Sequence, residues 1–359
     1  MAEVPDTRPV RESEQLDWES LGAYVRARLP GVVGEGVDLN SPLAVEQFPG
    51  GHSNLTYLLR FGSQEFVMRR PPFGPVAPKA HDMAREFRIL EALHPVFPLA
   101  PRPFLLCEDA GVVGSVFYLM ERRRGLVVRT AEPPELDEKP RERRRASAAL
   151  VDALAELHAV DVRAHGLDSL GKPAGFVGRQ VRGWAERWRR SQTDELPEMD
   201  ALAAWLLERL PSDPARPTLV HGDYKLDNVM LDGRDVGSVV GVFDWEMSAV
   251  GDPLIDLGIL LGYWVHTAKG DRRDTVSAVT NRGGWFTRGE LLERYGARTG
   301  RELSNVGFYE VFAVFKLAVV LQQIFFRYRR GQTDDPRFAA LGERVSWLAR
   351  IAAALAEKQ

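Results

Sequence analysis

Between residues 41 and 121 the apolar positions come in short runs suited to strands, AVEQF, NLTYLLRF, EFVMR and VFYLM, divided by Gly-rich or Pro-rich punctuation. One helix interrupts them. From Asp82 the stretch DMAREFRILEAL repeats Met83, Phe87, Leu90 and Leu93 at helical spacing, next to PPFGPVAP, a Pro-rich loop that cannot be regular. After the basic turn ERRRG at 121–125 helical periods dominate. The segment 140–160 opens on Pro140 and a charged turn, then brings Leu150, Leu154 and Leu157 onto one face. VGRQVRGWAERWRR and MDALAAWLLERL predict two further helices, the first with Trp184 and Trp188 four apart on a shared face. A β-rich interval over 218–244, turning at Asp232-Gly233, precedes a second helical series from Asp252 onward. The pattern predicts an α+β protein, β-rich at the amino end and mostly helical beyond. Its divisions fall at 1–40, a leading extension with a helix, at 41–121, at a connector 122–126 and at 127–359.

Composition narrows the chemistry. The chain has 359 residues, enough for more than one packed unit. Its 47 Lys and Arg against 50 Asp and Glu give a net charge of -3, so no overall cationic field draws it to nucleic acid, and any anionic ligand must be met locally. The single cysteine, Cys107, excludes an intrachain disulfide and suits a reducing cytoplasm. The opening residues are polar and acidic with no apolar core of a secretory signal, and predict a short mobile lead-in. The most apolar stretch, 308–326, is broken by Glu310, Lys316, Gln322 and Gln323; it predicts a buried core helix and no membrane partner.

The chemistry-bearing stretch is TLVHGDYKLDNVML at 218–231, followed after a hairpin by VVGVFDWEMSAVGDPLIDLG at 239–258. Each half runs from strand to polar cluster. Asp223, Asn228 and Asp244 are oxygen-bearing residues at strand ends, the hard donors that suit magnesium sharing substrate phosphate oxygens. Turn capping explains each singly but not the three together. Upstream, FPGGHSNLTYLLRF sets Gly50 and Gly51 between two strand-like runs, where a backbone without Cβ approaches phosphate closely. It matches neither a dinucleotide-binding glycine pattern nor a P-loop.

HGDYKLDN resembles the catalytic loop of the aminoglycoside phosphotransferase and choline kinase group, and FDWE its metal-binding counterpart of the protein-kinase DFG. That resemblance implies a bilobal protein-kinase-like fold with the divisions above as its lobes and hinge, and an ATP- and magnesium-dependent phosphotransferase. It implies Asp223 as catalytic base, Lys225 as the residue neutralising charge on the transferred group, and Asn228 and Asp244 as magnesium ligands. His221 would brace the loop. Asp252 reads equally as a helix cap, Asp256 as a support hydrogen-bonding the loop, and Glu246 as a support or a substrate-facing group. Gly50, Gly51, His52, Ser53 and Asn54 would cover the nucleotide. The usual phosphate-binding lysine is replaced in FVMRR, where Arg69, or by a one-residue shift Arg70, would pair with Glu86. Met120, Glu121 and Arg122 would offer backbone to adenine, and His158 would pack.

Together with GGHSNLTYLL, AHDMAREFRIL and GRQVRGWAERW, these motifs look like the kinase domain fused to acyl-CoA dehydrogenase in some animal proteins and its stand-alone bacterial relatives. The implied acceptor is a hydroxylated acyl group or its CoA thioester, with an aminoglycoside, choline or sugar as alternatives. Trp184, Trp188 and Trp264 are expected to line its site. Arg179, Arg182, Arg187, Arg189 and Arg190 point to an anionic or apolar-anionic acceptor. A nucleotide-binding regulator without turnover and a metal-dependent phosphoesterase are the competing classes, and a monomer or homodimer is expected.

Overall fold

The computed structural model describes residues 6–33, 38–49, 54–74, 81–264, 279–333 and 335–359. The chain divides into two compact units, one of Met1–Arg124 with Val240–Glu246 and one of Gly125–Val239 with Met247–Gln359. The linear division expected from sequence kept 127–359 together. In the structure, seven of those residues belong with the amino-terminal unit.

The first unit is built on a five-stranded antiparallel sheet in the order β1-β2-β3-β5-β4. Its strands are β1 (Leu43–Gln47), β2 (Leu55–Phe61), β3 (Gln64–Arg70), β4 (Pro103–Cys107) and β5 (Phe117–Glu121). Register is set by apolar residues that return to the same face, Tyr57 opposite Met68 and Leu59 opposite Phe66. Helix α1 (Trp18–Arg28) lays Leu21 and Val25 into the core with Leu29, among Tyr57, Phe61, Met68 and Phe117. Where it is described, the lead-in expected to be mobile packs against the sheet. Arg8 bridges to Gln47, and Trp18 meets Tyr57 edge to face at 5.5 Å, because the spacing 21, 25, 29 supplies an apolar stripe within a polar segment. Short helices α2 (Pro30–Val33) and α4 (Ala110–Val113) flank α3 (Met83–Leu93) in sequence. Asp82 caps α3 by accepting the Arg85 N–H, and the helix buries Met83, Glu86, Ile89, Leu90 and Leu93.

The second unit is mostly helical. Strands β6 (Leu126–Val127) and β8 (Val229–Leu231) pair antiparallel, as do β7 (Thr218–Val220) and β10 (Ala249–Gly251). Strand β9 (Val239–Val242) leads into the returning segment. Helices α5 (Pro140–Leu157), α6 (Phe176–Ser191), α7 (Pro197–Glu208), α8 (Leu254–Tyr263), α9 (Arg288–Thr299), α10 (Val306–Arg329) and α11 (Leu341–Ala356) make up the body. The apolar α10 runs through its core, with Val311, Phe315, Ala318 and Val319 fully enclosed. By length and composition it could cross a membrane, but most of it is buried in this unit. Gly258 lets α8 close on α10: a Cβ there would stand 2.5 Å from the Tyr309 carbonyl oxygen.

Candidate active site

In the second unit the segment after β7 turns sharply at Gly222, whose φ of +81° is in the left-handed region. A Cβ there would fall 2.6 Å from the Met247 carbonyl oxygen, so only glycine fits. The turn is held from beneath by Asp256 of α8. This fully buried carboxylate accepts the backbone N–H of His221 at 2.6 Å and of Gly222 at 2.7 Å. It also meets His158 Nε2 at 3.2 Å, while His158 Nδ1 and the Tyr295 hydroxyl are 2.7 Å apart. Burial works to raise the Asp256 pKa, but the His158 hydrogen bond, nearby histidines and backbone donors outweigh it and hold the carboxyl below its ordinary value. His221 is itself buried, and its Nδ1 accepts the Asp223 N–H at 3.2 Å.

Asp223 emerges from this braced turn. Lys225 Nζ donates to its Oδ2, and Asn228 Nδ2 donates to the same oxygen at 3.1 Å and to the Asp223 carbonyl at 2.9 Å. The Lys225 ammonium also stands 5.2 Å from the Tyr263 ring centroid. Burial opposes the Lys225 charge, but Asp223 outweighs it and holds the pKa above the ordinary lysine range. Since Nδ2 of Asn228 is committed to Asp223, the group it offers a cation is its carbonyl oxygen.

Lys316 was not singled out for chemistry by the sequence. From the middle of α10 its ammonium donates to the Gly222 carbonyl at 2.5 Å, lies 3.9 Å from Asp223 Oδ1 and faces the Trp184 ring at 5.4 Å. A small cavity of mixed polar and apolar lining opens here, between Phe176, Ile255, Ile259 and Phe312 on one hand and Gln180, Gly222, Met247 and Lys316 on the other. Asp252 anchors the base of α8, accepting the Leu254 N–H at 2.9 Å and the Tyr309 hydroxyl at 2.5 Å.

The tryptophans expected to line an acceptor site are core residues: Trp184, Trp188 and Trp264 are 5%, 1% and 3% exposed. Trp264 donates to the Phe286 carbonyl and meets Trp285 edge to face. The arginines of α6 are also largely committed. Arg189 and Arg190 turn back to Glu186, and Arg179 donates to the Lys172 and Ala174 carbonyls. Arg187 stacks 4.5 Å over Trp184.

In the first unit, alternation along β3 sends Arg69 and Arg70 to opposite faces. Arg69 Nε lies 3.1 Å from Glu86 Oε2, and its Nη2 donates to Asp244. Arg70 instead donates to the Val113 carbonyl and stacks 4.2 Å over Phe73. The cluster thus selects Arg69. Glu86 Oε1 accepts the Trp245 N–H at 3.1 Å, which ties α3 to the returning segment. Burial pushes the Glu86 carboxyl up to about 7 against the pull of Arg69. On Arg69 burial again opposes the charge, but Glu86 and Asp244 together raise its pKa. Asp244 takes a φ of +71°, unusual for a residue other than glycine, and its side chain is 27% exposed.

Asn54 Nδ2 donates to Glu246 Oε2 at 2.8 Å, His81 Nδ1 meets Asn54 Oδ1 at 2.8 Å, and Arg85 donates to the Glu246 carbonyl at 3.0 Å. His81 and Arg85 lie within AHDMAREFRIL, but the sequence pattern assigns neither a role. Gly50, Gly51, His52 and Ser53 lie outside the described residues. Met120 and Glu121 end β5, where Glu121 accepts the Arg102 N–H at 3.1 Å. Arg122 pairs with both Asp6 oxygens at 2.7 and 2.6 Å and stacks 4.8 Å over Phe48. Its side chain is thereby committed, and its backbone is what it could offer a ligand.

A carboxylate on a braced loop, attended by lysines and an amide, has the chemistry that phosphoryl transfer calls on, where positioning and charge carry most of the catalysis. The fold is of the protein-kinase-like class. The chain belongs to the phosphotransferase enzyme family (APH), which it matches over residues 44–294, and is an enzyme of the small-molecule kinase type. It is 37% identical over 335 residues to acyl-CoA dehydrogenase family member 11 of Rattus norvegicus, covering 92% of this chain and 42% of the relative. The chain thus spans about two fifths of that relative's length. Among solved structures, a Ralstonia eutropha protein assigned to the aminoglycoside phosphotransferases is 32% identical, with a TM-score of 0.78 over 96% of this chain and 99% of that one. Choline kinase from Cryptosporidium parvum shares the fold at 12% identity, with a TM-score of 0.62 and coverage of 94% and 96%. So does a phosphotransferase solved with GDP and kanamycin, at 15% identity and a TM-score of 0.59, over 93% and 98%.

Proposed function

We propose that this kinase moves the γ-phosphate of ATP to a hydroxyl of an acyl compound, free or as its CoA thioester, in a reducing, cytoplasmic setting. The observation that carries the reading is the Asp223 loop, in which Lys225 and Asn228 hold one carboxylate oxygen while Asp256 fixes the turn. Asp223 orients the acceptor hydroxyl and takes its proton. The hydroxyl oxygen forms a bond to the γ-phosphorus as the bond to the bridging β–γ oxygen breaks, leaving ADP. Lys225 offsets charge on the transferred group. Arg69, positioned by Glu86, holds phosphate oxygens with a forked guanidinium in place of a lysine point charge. Backbone at Met120–Arg122 receives the adenine.

Each residue by itself suits magnesium, Asn228 with an amide oxygen and Asp244 with a partly exposed carboxylate, both hard oxygen ligands. When bound, the ion would supply electrostatic stabilisation at the β- and γ-phosphate oxygens. The acyl acceptor is supported by relatives whose names place a sequence like this one within acyl-CoA dehydrogenase family proteins.

The test is ADP release with MgATP and hydroxyacyl-CoAs, aminoglycosides, choline and sugars compared in parallel. Hydroxyacyl compounds are expected to give the highest kcat/KM. Preference for an aminoglycoside or choline would overturn the acceptor assignment, and nucleotide binding without transfer to any acceptor or to water would indicate a regulator.

A further inference from the structure

We propose that Lys316 is a positioning residue for phosphoryl transfer, fixing the Asp223 loop and its carboxylate from the interior of α10. This inference rests on the assignment of Asp223 above and extends it to a residue outside the motifs.

Lys316 occupies the middle of a 24-residue helix whose neighbouring positions, Val314, Phe315, Leu317 and Ala318, are buried and apolar. Packing alone is served there by leucine or methionine, because an enclosed ammonium carries a desolvation penalty that neither of them has. Burial accordingly pushes the Lys316 pKa below the ordinary lysine value, against the pull of Asp223. What the ammonium meets is specific to the site. It donates to the carbonyl of Gly222, the residue whose left-handed conformation sets the direction in which Asp223 leaves the turn. It also lies on the Oδ1 side of Asp223, while Lys225 and Asn228 hold Oδ2. The Asp223 carboxylate is therefore gripped asymmetrically, by direct donors on one oxygen and by a more distant cation on the other. That arrangement limits rotation about the Cβ–Cγ bond and keeps Oδ1 available for an acceptor hydroxyl. The Trp184 face closes the remaining side of the ammonium.

Removing the charge without the volume separates positioning from scaffolding. Lys316→Met is expected to leave the melting temperature unchanged or higher, since a desolvated cation is replaced by an apolar chain. It should lower kcat at least tenfold, with KM for ATP within about twofold of wild type. The assay is ADP release with MgATP, using hydroxybutyryl-CoA as acceptor and, independently, water. Lys316→Gln keeps a donor for the Gly222 carbonyl but not the charge, and its kcat should fall between those of wild type and Lys316→Met. Wild-type kcat in either variant overturns the proposal. A fall in melting temperature that tracks the loss of kcat also overturns it, because the lysine would then be a packing element only. An active wild type with an inactive Asp223→Asn and a fully active Lys316→Met refutes this inference alone. Equal rates in wild type and Asp223→Asn refute the assignment of Asp223 beneath it.

Discussion

The carboxylate of Asp256 and the backbone of Gly222 meet at 2.7 Å in a fully buried site, so a helix residue dictates how the loop carrying Asp223 turns. Asp256→Asn keeps the shape but replaces one acceptor oxygen with a donor facing a backbone N–H. Leaving that group unsatisfied and removing a buried charge beside His158 should lower stability by about 3 kcal/mol. Urea unfolding checks the loss, and the surviving folded protein should show a reduced kcat with little change in KM for ATP.

On the proposed mechanism, Asp223→Asn removes the group that takes the acceptor's proton while retaining amide contacts to the loop. Transfer should fall by about two to four orders of magnitude, the range of a lost general base, while ATP affinity changes little. Single-turnover kinetics together with a nucleotide titration separate the two effects. Full activity in the variant would remove the central assignment.

Arg69 meets two carboxylates, and Glu86 is 1% exposed. Arg69→Met leaves Glu86 buried without its cation, a change that typically costs about 3–5 kcal/mol. Adding Glu86→Gln should recover part of the stability without restoring ATP binding. Thermal melts and ATP titrations of the single and double variants measure the two quantities independently.

Gly222→Ala would force a side chain into a left-handed conformation and against the Met247 carbonyl. A cost of roughly 1–3 kcal/mol follows from the backbone strain alone. Activity should fall further than the folded fraction does, since the displaced turn carries Asp223. Comparing active-site titre with the folded fraction measured by circular dichroism tests this.

Burial depresses the pKa of His158 below the ordinary histidine value, with Asp256 opposing the shift. As pH falls through about 6.5 the unfolded chain takes up a proton that the folded imidazole refuses, so stability is lost on the acid side and fully present above it. His158→Gln should therefore show a flatter stability profile between pH 7.5 and 5.5 than wild type. Denaturant midpoints across that range provide the measurement, and parallel profiles would exclude His158 as the titrating group.

The parts of the site that were legible in the sequence are those whose chemistry is contiguous in the chain. HGDYKLDN brings Asp223, Lys225 and Asn228 together within one short loop, and GDPLIDLG carries the buried Asp252 and Asp256. Strand alternation posed the choice between Arg69 and Arg70 correctly, but only the position of Glu86 on α3 resolves it. In the sequence Lys316 is a charge interrupting an apolar stretch, which argues only against a membrane span. Its partner lies far away in sequence, and periodicity does not report such pairings. Trp184 and Trp188 show the converse limit, because aromatics on one helical face have the same spacing whether they line a pocket or fill a core. The leading helix expected within 1–40 is α1, and three apolar residues at four-residue spacing, Leu21, Val25 and Leu29, suffice to dock it on the sheet.

The return of Val240–Glu246 to the amino-terminal unit bears on how the protein can be divided. A fragment ending at Arg124 would retain the whole five-stranded sheet yet lack Asp244, the Trp245 amide that binds Glu86, and the Glu246 carboxylate that binds Asn54. Its buried Arg69 and Glu86 would remain with half their partners gone. No single cut of the chain releases the complete amino-terminal unit, so expression of that unit alone calls for a graft of the seven-residue segment or a circular permutation.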